Sequence, residues 1–561
     1  MPKILIREDD RTTPGTPGSY DNYAVLIAGF AGSESEIAEP LVRADSNNAY
    51  EFKSAQVFKD TIGLVAPEME KRTEDGVYQL KHYGNQMAYE LLRLGYPVIY
   101  KSLGNLQDDY ATFEDVVSTL TDELMWEPFK DKASYDFRFV THGLLASTEM
   151  PISVSNELSD AKIAKDDAEK GLAELDKLQK DADEQKIELE TDPNFEMALY
   201  LTEQYLALAA KDEFSAIFTD KNTGKIYSTY DIAYERLSAI LENSNQTIKR
   251  IDNSYFTTGC INQVNANIAN LAKYVTVDNP TNKTVYGRGD CIALIELDEQ
   301  CYTTAKETIT DPIDLIISGI NEMKEIDSSN GKYCAMTVPS VTYKMASTKE
   351  FNFNKTFPGA FHYLTCFINS IGLGFKEWYA AAGYTRGVSS YTIDTATVKL
   401  GEIAINALEP RNITDAENDP KFACNVIANF RGSYYLWGNR TAHPLGKKGS
   451  LDTGDLVASS FLNIRQLCTT IKKQLYVACR TFTFDPNSDS LWVNFINAIR
   501  PTLEVMKADQ GIRDYKIIKI YTDTKATLKA RIRIIPIEAV EDFDLEILLE
   551  DSFGEALTVN E

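Results

Sequence analysis

The order of apolar and polar positions divides the chain into segments with different periods. Near the start, "KILI" makes a short strand candidate at Ile4, Leu5 and Ile6, and the turn-rich "REDDRTTPGTPGSYDN" behind it leaves that strand without a local partner. "YAVLIAGFAGSE" predicts a buried strand over Val25 to Ile27 that runs into a glycine turn at Gly29 and Gly32. "NQMAYELLRLGYPVIYKSL" predicts a helix ending near Gly95 and then a strand at Val98 to Tyr100, the helix-to-strand step of an α/β layer. Beyond Asn265 the same character returns. "GDCIALIEL" and "KYCAMTVPSV" read as buried strands, with "IDLIISGINEM" as a helix between them.

Between Asn156 and Glu190 aromatic residues nearly vanish and opposite charges crowd together. Ala164, Ala168, Leu172, Leu175, Leu178 and Ala182 recur there at spacings of three and four, one stripe of a helix. Asp192 and Pro193 then open a second helix through "FEMALYLTEQYLALAAK", as cap and first-turn proline. The pair predicts a helical hairpin, either a solvated surface insertion or a coiled coil that binds a partner. In the final third, "FLNIRQLCTTIKKQLYVACR" places Ile464, Leu467, Cys468, Ile471, Leu475 and Ala478 on one helical face, and Arg465, Lys472, Tyr476 and Arg480 largely on the other. "LWVNFINAIRPTLEVMKADQ" predicts a further helix, broken or kinked at Pro501. Two alternating strands follow, "YKIIKIYTD" and "TLKARIRIIPIE". Near the end, "DFDLEIL" alternates Phe543, Leu545 and Ile547 with Asp544 and Glu546, the pattern of a strand able to complete another chain's sheet.

Composition narrows the class. A chain of 561 residues exceeds one core and predicts roughly three to four units. Its 43% hydrophobic and 11% aromatic content is that of a folded protein. A net charge of −26 argues against general nucleic-acid binding, which runs on basic patches. The charge is uneven: Phe430 to Ile535 carries 17 Lys and Arg against 8 Asp and Glu, whereas Pro536 to Glu561 has nine acids and no Lys or Arg. "MPKILIREDD" lacks the apolar region of a signal peptide, and no stretch reaches the length that spans a bilayer, so neither export nor membrane insertion is expected. The eight cysteines form no C-x-x-C pair and read as reduced core thiols of a chain made in a cytoplasm.

Candidate chemistry is sparse. His82, His142, His362 and His443 are isolated in sequence, zinc spacings and a G-x-S-x-G elbow are absent, and no metal or cofactor is expected. "GYTRG" at Gly383 to Gly387 and "GFAGS" at Gly29 to Ser33 each suggest a phosphate cradle, although the latter lacks a third glycine and a following acid at the right distance. "GRGD" at Gly287 to Asp290 reads as a tight loop feeding the strand behind it. "DTGD" at Asp452 to Asp455 leaves an acidic hydrolase using Asp452 as the catalytic alternative, in which Asp452→Ala abolishes an activity.

Several segments in order resemble the sheath protein of contractile phage tails. "YAVLIAGFAGSESEIAEPLVRADSNNAYEFKSAQVFKDTIG" is similar to that family's opening strand and glycine turn, and "RGDCIALIELDE" with "KYCAMTVPSVTY" to its two following strands. "FPGAFHYLTCFINSIGLGFKEWYAAAGYTRGVS" resembles its segment running from a glycine-rich helix to a tryptophan loop, which makes "EWYAAAGYTRG" scaffold instead of a catalytic loop. "NFRGSYYLWGNRTA", "FLNIRQLCTTIKKQL", "FTFDPNSDSLWVNFINAIRPTLEVMKADQGI" and "ARIRIIPIEAVEDFDLEILLE" follow the family's carboxy-terminal succession in the same order. The chain departs from it in that its "AAAG" lacks the family's usual proline, in having Asn439 where the family has alanine, and in carrying roughly Pro151 to Asn253 without a counterpart.

The resemblance implies an α/β (α+β) multidomain subunit: an N-terminal linking arm at 1–20, an α/β core in two segments at 21–150 and 254–400, and a helical-hairpin insertion at 151–253. A C-terminal sheath domain with a tube-facing helix would occupy 401–535, and an acidic C-terminal linking arm 536–561. It implies a non-enzymatic protein that polymerises helically with itself around a tail tube protein and contracts to drive the tube through a host envelope. Baseplate and tail terminator proteins are its further partners, direct nucleic-acid contact is not expected, and the place of action is the virion after assembly in the host cytoplasm. The sheath of a related contractile injection system carries the same expectations. Subunits would be linked through Ile4, Leu5 and Ile6 and through Phe543, Leu545 and Ile547, unless both ends fold back on their own subunit. Arg465, Lys472, Lys473, Tyr476 and Arg480 would contact the tube, or else form a solvated face.

Overall fold

The longest apolar runs become the middle of one mixed sheet. The computed structural model describes residues 24–31, 49–62, 68–73, 76–105, 118–146, 152–185, 193–221, 223–254, 258–273, 275–278, 283–297, 312–323, 326, 331–344, 356–408, 423–443, 457–521 and 527–539. Its central sheet has eight strands: β1 (Val25–Ala31), β2 (Ala49–Phe52), β3 (Val98–Asn105), β4 (Phe139–Thr141), β5 (Ile292–Ile295), β6 (Cys334–Val338), β7 (Asn425–Phe430) and β8 (Ser433–Trp437). Across the sheet they run β8-β7-β6-β5-β4-β1-β3-β2, parallel except for the two edge strands, β8 and β2, which are antiparallel to their neighbours. All four residues of β5 and all five of β6 are buried, which fits inner parallel strands covered on both faces.

Helices cover the sheet on both faces. Helix α1 (Ala55–Ile62), α2 (Gly84–Arg93) and a longer helix at Gly359–Gly372 supply Phe58, Met87, Leu91, Phe361, Leu364 and Phe367 to one core layer. The opposite layer is filled from helices at Thr258–Ala272 and Pro312–Glu322, through Ile261, Val264, Ile268, Ile316 and Ile320. The α/β expectation is therefore met by a doubly covered sheet. One local expectation is corrected: Gly29 is not in a turn but inside β1, where the register with β3 shifts between Gly29 and Ala31.

Among the described residues the insertion folds into three long helices, α3 (Ile152–Gln185), α4 (Pro193–Ala209) and α5 (Tyr230–Ser254), with a single helical turn at Asp212–Ser215, where a two-helix hairpin was expected. Ala161, Ala168, Leu175 and Ala182 are buried at strict seven-residue intervals along α3, the seam of a coiled-coil packing. That seam meets Leu201, Tyr205 and Leu208 of α4 and Tyr230, Ala233 and Leu237 of α5, so the stripe is consumed inside its own unit. Asp192 lies outside the described residues; Pro193 does begin α4.

For the helices that follow, α6 is Thr258–Ala272, α7 Pro312–Glu322 and α8 Gly359–Gly372. Helices α9 (Leu462–Thr481) and α10 (Asp489–Ala508) then lead into an antiparallel pair, β9 (Ile512–Ile520) and β10 (Lys529–Pro536). Helix α10 runs unbroken through Pro501. Pro501 and Asn497 are both on the exposed side, where water can take the carbonyl that the proline leaves without its helical donor. Among the described residues no helix is long and apolar enough to cross a membrane.

Candidate functional site

The segments that carry the family resemblance meet around α9. Its Leu467, Ile471, Leu475 and Ala478 pack against Phe495, Ile499, Leu503 and Met506 of α10 and against Ile512, Ile532 and Ile534 of the β9-β10 pair. Its opposite side is bound to the α/β core by polar contacts. Arg138, just before β4, donates to Gln466 Oε1 at 3.0 Å and to Thr470 Oγ1 at 2.9 Å; Thr470 in turn donates to Glu377 Oε1 at 3.0 Å, and Gln466 Nε2 to the Tyr363 hydroxyl at 3.0 Å. These groups are buried, so each hydrogen bond replaces one that water would otherwise make, and breaking one strands its partner.

"EWYAAAGYTRG" is the clasp between the two layers. Trp378 Nε1 donates to the Asp509 carbonyl at 3.1 Å, and Gly511 lies so close to the indole that a Cβ there would sit 2.9 Å from Nε1. Arg386 Nε donates to the Ala380 carbonyl at 2.7 Å while its guanidinium lies 5.1 Å and 5.5 Å from the Phe375 and Tyr379 ring centres, so it fastens its own loop. Asn439, the departure from the family pattern, has a local explanation. Its side chain donates to Asn463 Oδ1 at 2.8 Å and accepts from Asn463 N at 3.0 Å, tying the strand end after β8 to the first turn of α9. The "GRGD" loop is likewise internal: Arg288 and Asp290 are buried and paired at 2.9 Å, and Arg288 also donates to the Phe129 and Tyr135 carbonyls, each at 2.8 Å.

The polar face of α9, expected to contact a tube or else to be solvated, is corrected for three of its five residues. Arg465, Lys472 and Lys473 are only 2%, 7% and 5% exposed. Arg465 stacks over the Tyr333 ring at 4.7 Å, Lys472 Nζ donates to the Gly289 carbonyl at 2.7 Å, and Lys473 Nζ pairs with Asp136. The period of the helix was legible, but α9 lies between two layers, and its polar side is satisfied by core carbonyls and a carboxylate instead of water. Only Tyr476 and Arg480 reach the surface, where the Tyr476 ring sits between Lys132 Nζ at 5.9 Å and Arg480 at 5.8 Å. Ile4, Leu5, Ile6, Phe543, Leu545, Ile547 and Asp452 lie outside the described residues.

Two buried groupings were not visible in the sequence. His142 Nε2 donates to Asn265 Oδ1 at 2.9 Å, and Asn265 Nδ2 donates to the Glu296 carbonyl at 2.7 Å; His82 is close enough to His142 for the two to interact. Glu296 closes the N-terminus of α8, accepting from Gly359 N at 3.1 Å and Ala360 N at 2.6 Å. Burial pushes the Glu296 carboxyl up to about 8, with the two N–H groups pulling the other way. The second grouping joins the Tyr343 hydroxyl to His362 Nδ1 at 2.8 Å and Cys366 Sγ to His362 Nε2 at 3.5 Å. Burial holds that imidazole down at about 3 and pushes the thiol well up, so this is an inert core contact and not an activated nucleophile.

No protein-family model matches the chain, and no curated protein sequence matches it. Among solved structures, the chain is similar to a chain of the six-fold symmetrised cryo-EM structure of the anti-feeding prophage baseplate. The two are 12% identical, with a TM-score of 0.48 and coverage of 98% of this chain and 99% of the other. It is also similar to a chain of the cryo-EM structure of an extracellular contractile injection system, the PVC sheath complex in its contracted state. Identity there is 12% and the TM-score 0.42, with 98% of each chain covered.

Proposed function

We propose that the chain is the structural subunit of a contractile sheath, polymerising with itself around an inner tube, in a phage tail or a related injection machine. The observation that carries this reading is the convergence on α9 of segments that follow the sheath family's order. Arg138 joins α9 to the strand "CIALIEL", whose Ile292 N donates to the Arg138 carbonyl at 2.9 Å; Arg465 of α9 stacks on Tyr333 of "KYCAMTVPSV"; Glu377 and Trp378 of the "EWYAAAG" loop and Asn439 of "SYYLWGN" bond Thr470 and Asn463 of α9. A subunit tied internally in this way is suited to move as a rigid body while its contacts with neighbours exchange.

A helical polymer needs two different surfaces on each subunit, one offering and one accepting. The β9-β10 pair supplies the acceptor in this reading. It is a two-stranded sheet with no further strand on either edge among the described residues, and such edges take extended segments from other chains. Its outer face exposes Lys516, Lys529, Arg531 and Arg533, with Lys516 directly opposite Arg533, a like-charge pairing that an acidic partner would relieve. Residues 536–561, with nine acids and no Lys or Arg, are the complementary donor, and Ile4 to Ile6 is the second strand. For the tube contact, Tyr476 and Arg480 are the two residues of the original five with surface to offer.

Sedimentation velocity of the full chain beside a chain ending at Pro536 tests this reading. Large polymers from the full chain and monomers from the shorter one are expected. Monomers from both at every concentration would overturn the sheath reading, and polymers from both would remove residues 537–561 from the linkage.

A further inference from the structure

We propose that Phe484, in the turn between α9 and α10, docks onto the aromatic patch of Tyr384, Phe430, Tyr435 and Trp437 on a second copy of this chain, in a head-to-tail contact. The inference rests on the proposed polymer and adds to it a contact that involves neither β9 and β10 nor the chain ends. Phe484 carries two costs at once: it is 86% exposed, and its φ is +78°. An exposed aromatic alone is ordinary, but a bulky side chain in the left-handed region is not, because its Cβ crowds the backbone there. The other two non-glycine residues of positive φ among the described residues are Arg431 and Gln510. They occupy a two-residue hairpin turn and the position just past the cap of α10, where that conformation is usual.

The backbone of the turn fixes that conformation. Thr483 N donates to the Arg480 carbonyl at 3.3 Å, Asp485 N to the Phe482 carbonyl at 3.2 Å and Ser488 N to the Pro486 carbonyl at 2.8 Å, and the Ser488 hydroxyl then caps α10 by accepting from Leu491 N at 3.3 Å. Phe482 packs on the core between α9 and α10, whereas Phe484 joins no apolar cluster and no ring pair among the described residues. Strain kept where it serves no internal packing points to a residue held ready for a partner.

The patch lies on the β7-β8 hairpin. Register puts Phe430, Tyr435 and Trp437 on one face of it, and the Tyr384 ring lies 5.7, 4.9 and 5.2 Å from theirs while remaining 61% exposed. Such a cluster can take one more ring edge to face. The flanking charges are complementary. Exposed Asp485 adjoins Phe484, whereas Arg386 and Arg431 stand beside Tyr384 and Phe430, and none of the three has an ion pair among the described residues. On the Phe484 side Arg480 is turned to the Tyr476 ring and Lys519 is paired with Asp489 at 2.9 Å. The two features cannot meet within one copy. Phe484 precedes the N-terminus of α10, but the loop bearing Tyr384 is fastened at the other end of that helix, where Trp378 Nε1 and the Tyr379 hydroxyl donate to the Asp509 carbonyl at 3.1 and 3.4 Å. The 20 residues of α10 set those ends about 30 Å apart. A ring offered at one end and an aromatic patch at the other are unlike surfaces, whose pairing between copies gives an open assembly.

Photocrosslinking tests the contact. Full chain carrying Phe484→p-benzoylphenylalanine is mixed into an excess of heavy-isotope chain of natural sequence, assembled and irradiated, and the joined peptides are read by mass spectrometry. Crosslinks from position 484 to heavy peptides holding Tyr384 or residues 430–437 are expected. Phe484→Gly removes the ring and suits the positive φ, so it should fold with a higher thermal midpoint and yet need about tenfold more protein to assemble, as loss of an interface anchor does. Assembly in which position 484 crosslinks to other segments, only to light peptides or to nothing would overturn this contact and leave the sheath reading standing, as would an unchanged assembly concentration in Phe484→Gly. Failure of the natural sequence to assemble at all would overturn both.

Discussion

Titration sets the clearest expectation at the scale of single residues. Burial holds His82 down at about 3, with His142 adding to the effect; it alone lowers His362 to about 3, and it outweighs the Asn265 hydrogen bond in lowering His142 to about 4. The unfolded chain therefore takes up these protons first, so the stability they contribute is complete above about 6.5 and is lost as pH falls toward 4 and 3. Glu296 works in the opposite sense. Its folded value near 8 lies above the ordinary 4.5, so its contribution is complete below 4.5 and is lost as pH rises through about 8. Stability should peak near neutral pH and fall on the alkaline side as Glu296 ionises, with a slope of at most about 1.4 kcal/mol per pH unit for one group. In Glu296→Gln the alkaline fall should vanish while the acid fall remains, as read by urea unfolding at pH 5, 6.5 and 8. An unchanged alkaline fall would remove Glu296 as its cause. None of this was legible in the sequence, where the four histidines stand far apart, because His82 and His142 meet only through the return of the chain across β1. The same limit applies to Arg465, Lys472 and Lys473: helical period separates a polar side from an apolar one but does not say whether the polar side meets water or a layer of carbonyls.

Elements were more legible than their partners. The seam of α3 was visible as apolar residues at three and four, and Pro193 marked the start of α4, since both signals are local. The third member of the bundle was missed, although Tyr230, Ala233, Leu237 and Leu241 repeat at the same spacings through a polar background. The bundle predicts a confined failure. Leu175→Ala removes a side chain buried at the middle of the seam and should cost about 2–4 kcal/mol in that unit. Hydrogen exchange should then quicken across α3, α4 and α5 and stay unchanged in β5 and β6. Equal loss of protection in the central sheet would mean that the bundle and the sheet unfold together. Pro501 teaches the converse lesson, since a helix breaker on the solvent side of α10 broke nothing.

For the whole molecule, strand order in the sheet was beyond the reach of periodicity, which assigns buried strands but not which strands are neighbours. Order along the chain was informative because it is a property of sequence: the segments similar to the sheath family reappear as one packed body around α9. In the proposed reading, the uneven charge along the sequence, cationic through β9 and β10 and acidic after Pro536, would supply the two unlike partners that an open helical polymer requires. Negative-stain electron microscopy of the purified full chain tests that claim most directly. Hollow tubes or stacked rings with a regular axial repeat are the predicted result, shortened or abolished when Arg531 and Arg533 are both changed to Glu. Single particles of monomer size at every protein and salt concentration, with no repeat even in the presence of an inner tube, would contradict it.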